Sequence, residues 1–166
     1  MLFRSTIEAG GNLAVSGTVG GATSDLTTKT TGTGTTSFGA TTTVGRNLSV
    51  TSAGAVSQTG ALTVTGTTNI GAGANNITLT NATNDFGGTV SATGAVTKIT
   101  DANALTVALT TTDSATIEAG GNLAVSGTVG GATSDLTTTT TGTGTTSFGA
   151  TTTVGRNLSV TSAGAV

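Results

Sequence analysis

The chain has 166 residues, among them 45 Thr and 27 Gly, with no Pro, Cys, His, Trp or Tyr and a net charge of -2. These counts exclude an imidazole base, a thiolate nucleophile and any His/Cys zinc or iron site. Five Lys+Arg against seven Asp+Glu leave no basic footprint for nucleic acid.

Charged residues make up 7% of the chain and the mean hydropathy is +0.23, which is not the balance of a charged, Pro-rich disordered segment. Thr, Val, Gly and Asn are instead the residues of strands and tight turns. Residues 1–5 carry one basic side chain and no following apolar run, so they do not read as a signal peptide. If the parent protein is exported, its signal lies elsewhere. No stretch approaches the roughly 18 apolar residues of a membrane helix.

Taken in chain order, the predicted elements are short strands centred on one recurring triplet: apolar, small, apolar. It appears as Leu13-Ala14-Val15, Leu48-Ser49-Val50, Leu62-Thr63-Val64, Ile77-Thr78-Leu79, Leu105-Thr106-Val107, Leu123-Ala124-Val125 and Leu158-Ser159-Val160. Leu26 or Phe38 fills the gap between Leu13 and Leu48, and Val90 the gap between Ile77 and Leu105. Alternation with period two marks strands with one buried face. Gly pairs follow, at Gly10-Gly11, Gly20-Gly21 and Gly87-Gly88. There is no apolar stripe of helical period, and Gly and Thr are poor helix residues.

A longer repeat organises the whole. Residues 6–56 recur at 116–166 with an offset of 110, and only Lys29 against Thr139 differs over 51 positions. Direct duplication of short strands without hairpin turns favours a stacked solenoid over a sandwich. The triplet spacings predict roughly nine to eleven rungs of about 14 to 20 residues, one all-β solenoid over 1–166. The pattern reads as a segment of a longer array of 110-residue units.

The motifs resemble the repeats of large filamentous-haemagglutinin-like adhesins, which are bacterial surface proteins. The residues that carry the resemblance are 60–68 (GALTVTGTT), 74–79 (ANNITL), 84–90 (NDFGGTV) and 100–105 (TDANAL). The resemblance implies a right-handed parallel β-helix at the cell surface, with a structural role as a stalk. It implies neighbouring repeats and a host or environmental surface ligand as partners, with no membrane insertion and an extracellular location. The alternative expectation is a ligand-binding solenoid that uses a Thr-rich face, with ice or a glycan as target.

The remaining polar residues give no catalytic, cofactor or metal site. Asn12, Asn47, Asn76, Asn122 and Asn157 precede strand starts and read as turn residues, or as a ladder bonding rung to rung. The acids Glu8, Asp25, Asp85, Asp101, Asp113, Glu118 and Asp135 are dispersed, and only Asp101 and Asp113 lie within one rung length. A hydrolase needs two such carboxyls facing one substrate. Phe38, Phe86 and Phe148 are expected to plug the core. The outward Thr array is broken by Ala14 and Ala108. Solenoid ends that present unpaired backbone groups recruit other strands, so end-to-end self-association is expected.

Overall fold

A computed structural model describes residues 3–166; Met1 and Leu2, read above for an export signal, lie outside them. Every regular element among the described residues is a strand. Leu62, Val64, Ile77 and Leu79 are buried, while Thr63 and Thr78 between them are not, so each strand seals one face.

The chain winds into about eight turns, and each turn lays strand in both of two parallel sheets. Turn one holds β1 (Phe3–Ala9) and β2 (Leu13–Val19), and turn two holds β3 (Ser24–Thr30) and β4 (Thr36–Val44). Turn three has β5 (Leu48–Thr51), then β6 (Val56–Gln58) and β7 (Leu62–Val64) end to end along β4 in the second sheet. Turn four likewise has β8 (Thr68–Gly71), then β9 (Ile77–Leu79) and β10 (Asp85–Phe86). Turns five and six are β11 (Val90–Gly94) with β12 (Thr97–Asp101), and β13 (Leu105–Thr111) with β14 (Ala115–Ala119). Turn seven is β15 (Leu123–Val129) and β16 (Leu136–Thr140). Turn eight puts β17 (Thr146–Phe148) and β18 (Thr153–Val154) in the first sheet and β19 (Leu158–Thr161) in the second.

Stacking in register builds the core as inward columns. In the first sheet Leu26, Leu48, Thr68, Val90, Val107 and Val125 lie one above the next. In the second, Ile77, Thr97, Ala115, Leu136 and Leu158 do the same. Phe38 and Phe86 are buried as expected, and Phe148 packs against the core from the last turn.

The rung count is corrected from nine to eleven down to about eight, with one turn separating stacked partners such as Val90 and Val107 or Gly17 and Thr42. The triplets mark strands, not turns. Leu48 lies in the first sheet and Leu62 in the second, so the step between them crosses from sheet to sheet within a single turn. Leu26 and Phe38, offered as alternatives for one rung, are both buried in turn two, one in each sheet.

The coil is wider in turns two to four than in turns five and six. In β4, residues 39–41 separate the part that pairs with β6 from the part that pairs with β7. Residues 59–61 and 80–84 open the same gap in the next two turns. No such insertion occurs in β12 or β14, which pair along their whole length from Thr97–Ala115 to Asp101–Ala119. The result is a ridge along one corner that stops at turn four.

Matching strands of the two duplicated segments lie in opposite sheets. β1, β3 and β5 belong to the first sheet, whereas β14, β16 and β19, which carry the matching residues, belong to the second. Gly21 and Gly131, with φ of 91° and 102°, turn the same corner in each copy. A Cβ on Gly45 would overlap the Gly21 carbonyl, and one on Gly155 the Gly131 carbonyl, so backbone stacks directly on backbone there.

Candidate functional site

Most polar side chains singled out from the sequence join one turn to the next. Arg46 reaches back to Asp25 with both arms of its guanidinium: Nε donates to Oδ1 at 2.7 Å and Nη2 donates to Oδ2. The Asn47 N–H donates to the same carboxyl at 3.2 Å. The second copy repeats this, with Arg156 donating to Asp135 at 2.8 and 2.6 Å and the Asn157 N–H at 3.2 Å. The Arg46 and Arg156 hydrogen bonds hold the Asp25 and Asp135 carboxyls down at about 2 against an ordinary 3.8.

The turn asparagines also bond rung to rung, but not to one another. Asn12 Oδ1 accepts from the Thr35 N–H at 3.0 Å and the Thr35 hydroxyl at 3.1 Å. Asn47 does the same with Thr67, and Asn122 with Thr145. Asn76 accepts from the Val96 N–H at 3.2 Å. The partner of each of these Asn side chains is therefore a backbone N–H, with a Thr hydroxyl added where one is present. This corrects the Asn ladder.

Asp101 and Asp113 do not meet. Asp101 ends β12 and is buried, its carboxylate accepting from the Phe86 N–H at 2.8 Å and the Asn103 N–H at 2.7 Å. Burial raises its carboxyl above the ordinary range, the two N–H donors oppose that, and the charge of Asp85 adds to it. Asp113 is exposed at the opposite corner, where its carboxylate accepts from the Ser114 N–H at 2.7 Å.

Next to Asp101 sits a polar node that the sequence reading missed. Asn84 is fully buried; its Nδ2 donates to Gln58 Oε1 at 2.9 Å, to the Thr100 carbonyl at 3.0 Å and to the Leu79 carbonyl at 3.2 Å. Its Oδ1 accepts from the Leu62 N–H at 2.9 Å and from Gln58 Nε2 at 2.7 Å. This node fills the interior where the ridge ends.

Outside the node, the step from wide to narrow turns leaves an open groove of about 390 Å³. Ala82 of the ridge bounds it, Ala119 and Gly120 lie among its small lining residues, and Thr100, Glu118, Thr139 and Thr141 supply its polar groups. The Thr100 hydroxyl donates to Glu118 Oε2 at 3.2 Å. Thr139, the one position at which the two copies differ, stacks beside Glu118, just as Lys29 stacks beside Glu8. The groove thus offers one exposed carboxylate among hydroxyls, suited to hydrogen bonding. No group of three or more His, Cys, Asp or Glu side chains able to hold a metal occurs among the described residues.

The Thr-rich faces are not regular lattices. The outward row of the second sheet runs Ser37, Ser57, Thr78, Lys98, Thr116, Thr137 and Ser159. A lysine interrupts it midway.

Stacked parallel turns, built from a duplicated sequence, define a β-solenoid tandem-repeat protein. A family model described as "Repeats of unknown function (DUF5649)" matches residues 23–93, the stretch from turn two into β11 that contains the ridge. No curated protein and no solved structure matches the chain.

Proposed function

We propose that this chain is a non-catalytic stalk segment of a large secreted bacterial surface adhesin of the filamentous-haemagglutinin-like kind, wound as a right-handed coil. One observation carries the reading: the conspicuous polar groups, Asp25–Arg46, Asp135–Arg156 and the Asn–Thr pairs, are used between neighbouring turns. A stalk needs such staples, because each turn of a solenoid is held only by its neighbours. Its partners are adjacent repeats, or a second chain stacked on a terminal turn. Antibodies against this chain should label intact cells of the source bacterium. Labelling only after permeabilisation would remove the surface role.

A second reading, a glycan-binding solenoid, is favoured by the groove around Glu118, Thr139 and Thr141. Glycan-array binding that Glu118→Gln abolishes would promote it over the stalk.

A further inference from the structure

We propose that Asn81 is the acceptor of an N-linked sugar, selected by its fold from four sites that share the acceptor pattern. Asn-x-Ser/Thr occurs at Asn47-Leu48-Ser49, Asn76-Ile77-Thr78, Asn81-Ala82-Thr83 and Asn157-Leu158-Ser159. At three of them the residue after Asn opens a strand: Leu48 begins β5, Ile77 begins β9 and Leu158 begins β19. An extended chain holds the Asn and the hydroxyl residue two places on about 6.6 Å apart. The side-chain oxygens of Asn47 and Asn76 accept instead from Thr67 and Val96 of the next turn.

Asn81 is folded differently. It opens a tight turn at the end of the ridge, in which the Asn84 N–H donates to the Asn81 carbonyl at 3.1 Å. Inside that turn Asn81 Oδ1 accepts from the Thr83 N–H at 2.9 Å and from the Thr83 hydroxyl at 2.7 Å. Ala82 and Thr83 are exposed and Asn81 is partly so, which lets an enzyme close around all three. The buried Asn84 anchors the far end of the turn through Leu62, Leu79 and Gln58, so the arrangement stands ready before any enzyme binds.

The chemistry needs that arrangement. An amide nitrogen is a weak nucleophile because its lone pair is delocalised into the carbonyl. Two donors on Oδ1 draw negative charge onto the oxygen and make the Nδ2 protons easier to remove. Both bonds fall on Oδ1, which leaves Nδ2 to react. Nδ2 attacks the anomeric carbon of a sugar diphosphate, nucleotide-linked or lipid-linked, supplied with its transferase. The N–C bond forms as the C–O bond to the diphosphate breaks. The leaving diphosphate takes the electron pair, and one Nδ2 proton passes to a carboxylate of the transferase. Ala82 bounds the groove, so the attached sugar stands at its rim. The inference needs neither the stalk reading nor the glycan-binding one.

Mass spectrometry of the protein isolated from its source cells tests this. Trypsin cuts after Arg46, Lys98 and Arg156, so the peptide 47–98 carries three of the sites and the fourth follows Arg156. Fragmentation that leaves the sugar attached should place it on Asn81, with Asn47, Asn76 and Asn157 bare. A single hexose or a short chain built on it identifies the nucleotide-linked donor, and a preassembled oligosaccharide the lipid-linked one. Thr83→Ala should lose the sugar and Thr83→Ser should keep it. Both variants should melt with the parent chain, since Thr83 is exposed. A bare Asn81, sugar on the strand-opening sites, or full modification of Thr83→Ala would each overturn the proposal.

Discussion

The two copies of the duplicated segment have almost the same sequence, yet their matching side chains are buried very differently. Leu48 is 1% exposed and its counterpart Leu158 is 48% exposed; Ile117 is fully buried and Ile7 is 38% exposed. Leu48 lies between Leu26 on one side and Thr68 on the other, whereas Leu158 stacks on Leu136 alone. Ile117 lies between Ile99 and Thr138, and Ile7 has only Thr28. In a solenoid the core is therefore not a property of a segment. It is contributed by the turns above and below, in a nearest-neighbour fashion.

Matched substitutions in the two copies test this, and the apolar ones should separate them most. Leu48→Ala should cost about 2–5 kcal/mol, as expected for a filled core position, and Leu158→Ala under about 1 kcal/mol. Urea unfolding of the two variants measures the gap. Equal costs would mean that something covers the last turn in solution, as a second chain stacked end to end would do.

Gly45→Ala and Gly155→Ala should fall next, at about 1–3 kcal/mol each. Here the copies should agree, because the backbone that a new Cβ meets belongs to the preceding turn, present in both. A mild Gly155→Ala beside a severe Gly45→Ala would show that the last turn is loosely seated.

Thr28→Val and Thr138→Val should each raise stability by about 1 kcal/mol, read as a higher melting temperature. Both hydroxyls are buried without a hydrogen-bond partner, Thr28 between Ile7 and Val50 and Thr138 between Ile117 and Val160 in their columns. Valine keeps the shape and removes the unsatisfied group. Destabilisation by either change would reveal a bond that the hydroxyl makes in solution.

The pH response should be the smallest effect and common to both copies. Asp25 and Asp135 titrate at about 2 when folded against 3.8 ordinarily, so their contribution is full above 3.8 and is lost as pH falls toward 2. Asp101 works in the opposite sense: its raised carboxyl favours the protonated folded form and offsets part of that loss. Melting temperatures between pH 5 and pH 2 should fall, and Asp25→Asn combined with Asp135→Asn should flatten the fall.

Strand type and the buried face were legible in the sequence because period two is a local signal, carried by single triplets such as Leu62-Thr63-Val64. The number of turns was not, because both sheets demand the same pattern and a crossing looks like a full rung. The Asp25–Arg46 pair had a usable signal, an acid followed by an arginine at a spacing that recurs unchanged in Asp135 and Arg156. The Asn84–Gln58 node had none, since nothing local marks a buried amide. The groove was equally silent. It arises from the extra residues at 80–84 next to a narrower turn, a difference of lengths and not of residue types.

The ladder bonds between turns run along the rod axis, and that decides how the molecule yields to a pull. Tension between its ends passes through every interface, but it is shared among all the bonds of an inner interface and concentrated on the last few at each end. The terminal turns therefore peel first, bond by bond. Each released turn of about 20 residues adds roughly 60 Å of extended chain in place of about 5 Å of rod. A load is thus met by a stepwise run of small give-points, longer where the turns are wide. When it is removed, the freed strand finds its template still standing on the turn below.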